Sequence, residues 1–353
     1  MYNFDVFDQA RRQYSIPDLP FLDAQRKKTF SEKPYQGLKV LHNIPLTLAA
    51  VFKIEALALG GAEVTTTCIK MLPPEERAID LLKQANVKVQ LEHDFDEEFD
   101  FHLDCCGELL DLTPPKIGAI ELTQTGTQLY KIASLTYPMI SVDDSRLKIL
   151  ETFFGTGDGF YRALYHLVGA EMLNKPVVLF GYGKVGQGIL YALRKFTNNI
   201  TVIDVETYPA PYPSDVNYIN AQNKLLVKQA IANAWCTITA TGVRNLISGY
   251  YGFKKEDFGA CLLINMGADD EYGNDFEQDE VVFNKKTFNF SLDQPTALRY
   301  LDPVFYSHNL GIDLILSKKI PNGYNPFPEL VTNAILEKWQ SIYKENINHA
   351  LIL

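Results

Sequence analysis

The chain has 353 residues, 46% of them hydrophobic and 22% charged, long enough for two domains that each bury a core. With 43 acids against 33 Lys plus Arg, its formal net charge of −10 argues against nucleic acid or an anionic membrane as a partner. No apolar run reaches the roughly 18 residues of a spanning helix. The start, MYNFDVFDQARRQYS, does not read as a secretory signal, and five cysteines without a CxxC spacing make a reducing, cytoplasmic setting the expectation.

In chain order, GLKVLHNIP (37–45) reads as a strand running into a turn. LTLAAVFKIEALALGG (46–61) reads as a helix with a broad apolar stripe and a Gly60-Gly61 stop. AEVTTTCIK (62–70) is β-rich, PPEERAIDLLKQANV (73–87) opens a helix on its prolines, and KVQLE (88–92) and FDFHLDCC (99–106) are further strands. FFGTGDGFYRALYHLVGAEML (153–173) predicts a turn and one long helix. A second block follows: strand 176–183, helix 184–196, strand 200–206, a loop over 210–216, helix 225–235, and strands 236–242 and 260–267. The last predicted helix is FPELVTNAILEKWQSIYKENI (327–347). Two βαβα blocks predict an α/β fold of two doubly wound parallel sheets.

The second block opens on VVLFGYGKVGQG. Gly181-Tyr-Gly183-Lys184-Val185-Gly186 is a G-x-G-x-x-G that leaves a strand and enters a helix. Gly181 allows the tight turn, Gly183 a close approach of phosphate to backbone, and Gly186 close packing of helix on sheet. Amides at the helix start then face the anion. Asp204 closes the next strand, where an acid binds the ribose hydroxyls of NAD and repels the extra phosphate of NADP. The expected cofactor is NAD.

GYGKVGQG, TATG (239–242), INMG (264–267) and NLG (309–311) occur in the order found in the S-adenosylhomocysteine hydrolase family. GGAEV (60–64), QTGTQLYK (124–131) and SVDDS (141–145) also resemble segments of that family, so the likeness runs from about Gly37 to Trp339. The resemblance implies a discontinuous substrate domain, 1–152 plus 312–353, and an NAD-binding Rossmann domain over 153–311. It places Thr239, Thr241, Gly242, Asn265, Gly267 and Asn309 near the cofactor. It also implies transient oxidation of a substrate hydroxyl by retained NAD.

The catalytic positions depart from the family. Pro45 stands at the catalytic histidine, with His42 three residues away, and Cys105 stands at the catalytic aspartate, next to Asp104. Leu122 replaces a glutamate while Thr123 matches, and Lys148 matches the active-site lysine with Glu151 or Thr152 as its acidic partner position. The family's G-H-F-D is Gly267-Ala268-Asp269-Asp270, and its G-H-P-S segment and C-terminal tail have no counterpart.

Lys148, Glu151, His42, Asp104 and Thr123 are therefore the catalytic candidates, Lys148 as acceptor of a hydroxyl proton. His102 shares a strand face with Asp104, and Glu121 shares one with Thr123. The acidic turn Asp269-Asp270-Glu271 is read as solvated rather than as a metal site, His308 as a loop histidine, and Cys105-Cys106 as two structural thiols. The expected function is that of an NAD-dependent oxidoreductase or lyase acting on a small hydroxylated metabolite other than S-adenosylhomocysteine. The alternatives are a non-catalytic NAD-binding regulator and a 2-hydroxy-acid dehydrogenase, the latter lacking its usual arginine after LLINMG. A homo-oligomer with a small-molecule substrate is expected.

Overall fold

The computed structural model describes residues 1–205 and 215–347, so most of the loop expected over 210–216 lies outside the described residues. It divides into two compact units, Met1–Lys148 with Leu301–Glu345, and Ile149–Tyr300 with Asn346 and Ile347.

The first unit begins with α1 (Asp5–Gln13) and α2 (Pro20–Glu32). It continues through β1 (Lys39–Asn43), α3 (Leu48–Leu59), β2 (Glu63–Thr67), α4 (Glu76–Gln84), β3 (Lys88–Val89), β4 (Phe101–Asp104), β5 (Gly118–Glu121), α5 (Gln124–Ile132) and β6 (Pro138–Ser141). The second unit carries a π-helical turn (Leu150–Gly155), α6 (Thr156–Val168), β7 (Val177–Phe180), α7 (Lys184–Leu193), β8 (Ile200–Asp204), β9 (Asn217–Asn220), α8 (Lys224–Ala232), β10 (Cys236–Thr239) and β11 (Leu262–Asn265). Then α9 (Leu298–Leu316) returns the chain to the first unit, which ends with β12 (Gly323–Pro326) and α10 (Glu329–Tyr343).

Both sheets are parallel throughout and have the same plan. The first runs β12-β6-β5-β4-β1-β2-β3 and the second β11-β10-β7-β8-β9. In each, the chain builds outward from the first strand and then returns to that strand's other side. This leaves a topological switch point between β1 and β4, and another between β7 and β10, at whose carboxyl ends such sheets bind ligands. Burial on both faces gives the central strand β7 its unbroken apolar run, Val-Val-Leu-Phe. Val177 and Leu179 of β7 pack into one core with α6 and α7, while Val178 and Phe180 pack into another with Val227 and Ile231 of α8.

Three elements differ from expectation for local reasons. The helix expected over 153–173 is broken, because Gly169 at φ +55° turns the backbone out of the helical region and a 3-10 turn follows. The stripe expected on α3 is instead burial nearly all round, and it takes in Lys53 and Glu55. The return to the first unit falls at Leu301 rather than at 312, because α9 is tied there by polar contacts. Asp302 caps α2 by accepting from the amides of Phe21 (2.9 Å) and Leu22 (2.8 Å), and Asn309 donates to Gln25 Oε1 (3.0 Å).

A glycine cradle and a polar strand edge

In the second unit, β7 ends at Phe180 and α7 starts at Lys184, so Gly181, Tyr182 and Gly183 form the turn between them. Gly181 has φ +95°, and a Cβ on it would lie 2.4 Å from Ala240 O. A Cβ on Gly186 would lie 2.1 Å from Gly181 O, so helix and turn close on each other without space for a methyl group. Asp204, at the end of β8, anchors the same turn: its carboxylate accepts from Tyr182 N at 2.5 Å and from Val205 N at 2.6 Å. Lys184 and Val185 start α7, with Lys184 exposed. These residues fit a dinucleotide, since the turn is one that a side chain would fill and an acid stands at the ribose position.

Apart from Asn309, the other expected cofactor residues form a brace around this edge. Thr239 and Asn265 sit side by side at the ends of β10 and β11, both completely buried, with Thr239 Oγ1 donating to Asn265 Oδ1 at 3.1 Å. Asn265 Nδ2 donates to Asp269 O (2.9 Å) and Lys285 O (2.7 Å). Glu271, read from sequence as part of a solvated acidic turn, is instead fully buried. Its carboxylate accepts from Thr241 N (2.9 Å), Gly242 N (2.7 Å) and Thr241 Oγ1 (2.6 Å), because the loop after β10 offers donors that only an acid can collect together. Gly267 is required here, since a Cβ on it would lie 2.2 Å from Glu271 Oε1. Burial raises the Glu271 carboxyl above its ordinary value.

In the first unit the carboxyl edge carries His42 on β1, Asp104 on β4 and Glu121 on β5, all fully buried. Asp104 accepts from Asn43 Nδ2 (3.0 Å), Tyr130 OH (2.9 Å), Cys105 N (2.7 Å) and Leu109 N (3.0 Å); His102 is not among its donors. His102 lies edge-on to Phe99, its titration lowered to about 4 by burial. Desolvation pushes the Asp104 carboxyl up to about 6 in spite of its hydrogen bonds. Glu121 gathers the amides of Cys106 (3.1 Å), Gly107 (3.1 Å), Leu122 (3.0 Å) and Thr123 (2.7 Å), and Thr123 Oγ1 donates to it at 2.6 Å. Thr123 is the N-cap of α5, accepting from Gly126 N. Glu121 and Thr123 do meet, as a loop clamp.

Lys148 is buried in a 3-10 turn, not on the surface of a regular helix, and its Nζ donates to Leu122 O at 2.7 Å. Glu151 falls in the second unit, within the π-helical turn. Asn309, expected beside the cofactor, lies on α9 in the first unit, completely buried, its amide donating to Gln25 Oε1 and Lys53 O. His308 is likewise a buried helix residue and not a loop histidine; its Nε2 lies 3.0 Å from Ile120 O. A carbonyl only accepts, so that nitrogen carries the proton and Nδ1 keeps a lone pair.

The same reasoning applies to His42. Thr66 Oγ1 donates to His42 O (3.2 Å), so His42 Nδ1–H donates to Thr66 Oγ1 (3.1 Å) and Nε2 keeps a lone pair. His42 Nε2, His308 Nδ1 and Lys53 Nζ are all buried without a hydrogen-bond partner among the described residues. Burial first, and then the neighbouring Lys53 charge, holds both histidines far below their ordinary value; burial does the same to Lys53. Lys53 was missed in the sequence, where a lone lysine in the apolar run LAAVFKIEALAL was its only sign.

No protein-family model matches the chain. It is 28% identical over 281 residues to S-inosyl-L-homocysteine hydrolase of Methanopyrus kandleri, covering 72% of this chain and 65% of that protein. It is 26% identical over 266 residues to adenosylhomocysteinase of Thermoplasma acidophilum, covering 67% of this chain and 63% of that one. The chain is a distant homologue of the adenosylhomocysteinase and S-inosylhomocysteine hydrolase family. It spans a little less than two thirds of the length of these two relatives. Among solved structures, D-lactate dehydrogenase from Escherichia coli covers 80% of this chain and 99% of its own at 10% identity, with a TM-score of 0.41. A glyoxylate reductase from Paecilomyes thermophila covers 82% of this chain and 98% of its own at 11% identity, with a TM-score of 0.40. Among the described residues no helix is long and apolar enough to cross a membrane, and no group of three or more His, Cys, Asp or Glu is placed to hold a metal ion.

Proposed function

We propose that the chain is an NAD-dependent oxidoreductase or lyase acting on a small hydroxylated metabolite other than S-adenosylhomocysteine. The observation that carries the reading is the glycine cradle of the second unit, in which Gly181 and Gly186 leave no space for a side chain and Asp204 is anchored at the end of β8. NAD, when bound, supplies a two-electron acceptor for hydride. Asp204 would hold its ribose hydroxyls and the amides at the start of α7 its pyrophosphate. Within the first unit, Lys148 Nζ and His42 Nε2 are the groups that would take up protons of a hydroxylated substrate. Distant homology to hydrolases of adenosyl- and inosylhomocysteine supports this class of chemistry. The replacements at Pro45, Cys105 and Ala268 support a different substrate.

Denaturing the purified protein and counting the released nucleotide by mass spectrometry tests the cofactor reading. About one NAD or NADH per chain is expected; a chain that binds no dinucleotide overturns it. A second reading, a non-catalytic NAD-binding regulator, is favoured by Asp104, Glu121 and Thr123 being committed to backbone amides and to each other. Lys148→Met and His42→Phe separate the two, since an enzyme loses turnover and a regulator keeps its function.

A further inference from the structure

Cys105 and Cys106 follow directly on β4, and their sulfurs lie 3.9 Å apart as free thiols. Cys106 has a left-handed backbone, φ +67°, a conformation that bulky side chains rarely adopt. Its amide is pinned by Glu121 Oε1 (3.1 Å) and Thr123 Oγ1 (2.9 Å), so the turn is held from the neighbouring strand. Cys105 is buried while Cys106 is partly exposed; Cys68, Cys236 and Cys261 are all buried. We propose that this pair is a peroxide-reactive modification site, with Cys106 as the attacking sulfur and Cys105 as the resolving one. Either sulfur can donate in this contact, and its pairing with Cys105 holds the Cys106 thiol below its ordinary value, whereas burial raises Cys68, Cys236 and Cys261. An accessible, acid-shifted thiol beside a second thiol is the arrangement that reacts reversibly with peroxides.

Cys106 thiolate attacks one oxygen of hydrogen peroxide, the O–O bond breaks, and hydroxide leaves and becomes water on taking a proton. Cys106 is thereby oxidised by two electrons to the sulfenic acid. Cys105 sulfur then attacks Cys106 sulfur, the S–O bond breaks, and a second water carries off the Cys105 proton. The sum is two thiols and one peroxide to one disulfide and two waters. Adjacent α-carbons are about 3.8 Å apart, closer than disulfides prefer, so the product is readily reopened by small thiols. Closing it pulls on the amide that Glu121 and Thr123 hold, which couples the modification to the clamp beside Lys148.

The test is peptide mapping of the folded wild-type chain after dilute hydrogen peroxide. The 105–106 peptide is expected to lose two hydrogens in mass and regain them with glutathione, and alkylatable thiols should fall from the five of the sequence by two. Cys105→Ser is expected to leave a dimedone-trapped sulfenic acid on Cys106, formed at least about tenfold faster than at any other cysteine. Five intact thiols after peroxide, a dimedone adduct confined to Cys105, or equal reactivity across the cysteines overturns the proposal. The wild-type mapping needs no variant to fold.

Discussion

The carboxyl edges of the two sheets solve one problem in opposite ways. In the second unit the edge is built from backbone: a turn shaped by glycines and steadied by Asp204, and the loop after β10 steadied by Glu271, whose carboxylates collect amide protons. In the first unit Asp104 and Glu121 collect amides in the same manner, yet His42, His308 and Lys53 bury nitrogens with no hydrogen-bond partner among the described residues. A backbone cradle depends on the absence of side chains and so tolerates little change. An edge built from side chains can be rewritten residue by residue while its sheet persists. Distant homologues with altered chemistry are expected to differ most at the second kind of edge.

The most severe break of the cradle is Gly186→Ala. Its methyl group would meet Gly181 O at 2.1 Å, and a backbone carbonyl cannot swing aside as a side-chain tip can. A stability loss of about 3 kcal/mol is expected, with NAD affinity down by about 100-fold, read by denaturant midpoint and nucleotide titration. Retained binding at wild-type strength would mean that the turn does not hold the nucleotide.

The first unit's edge is probed next by pH. Burial holds the Asp104 carboxyl at about 6, against 3.8 when free. Between those values the folded chain keeps a proton that the unfolded chain has released, so this group's contribution is full below about pH 4. It falls as pH rises to about 6 and is level above, a loss of up to about 3 kcal/mol. The stability advantage of wild type over Asp104→Asn should therefore shrink across that window; an advantage that grows with pH would show that the hydrogen bonds outweigh desolvation.

Much of this contrast could be read in the sequence. GYGKVGQG with a strand before it, a helix after it and Asp204 beyond gives the cradle, because backbone recognition leaves glycines at fixed spacing. The two parallel sheets follow from the alternation of strands and helices. β12 was not legible, since Gly-Tyr-Asn-Pro has no strand pattern and pairs only at the sheet edge, where proline is tolerated. Glu271 and His308 were misjudged because burial of a polar residue depends on what distant elements place around it. Asn309 was placed by family likeness, but the helix that carries it is held by Gln25 and Lys53, hundreds of residues earlier in the chain.

If the first edge is rewritable, removing its unpartnered amine should strengthen the fold. Lys53→Met keeps length and removes a buried nitrogen that has no hydrogen bond among the described residues, so a gain of about 2 kcal/mol in stability is expected, read from the denaturant midpoint. A loss of that size would mean that Lys53 has a partner in solution, and the contrast between the two edges would narrow.

The finest test lies where the first edge resembles the second. Thr123 caps α5 through Gly126 N, accepts from Cys106 N at 2.9 Å and donates to Glu121 at 2.6 Å. Thr123→Ala removes all three contacts, but Glu121 still accepts the amides of Cys106, Gly107, Leu122 and residue 123, so the clamp keeps most of its bonds. A cost of about 1 kcal/mol is therefore expected, the ordinary value of a lost cap, with Thr123→Ser restoring most of it. A cost of about 3 kcal/mol that Thr123→Ser fails to rescue would mean that the methyl group, and not the hydroxyl, holds the turn. The first edge would then rest on packing where the second rests on hydrogen bonds.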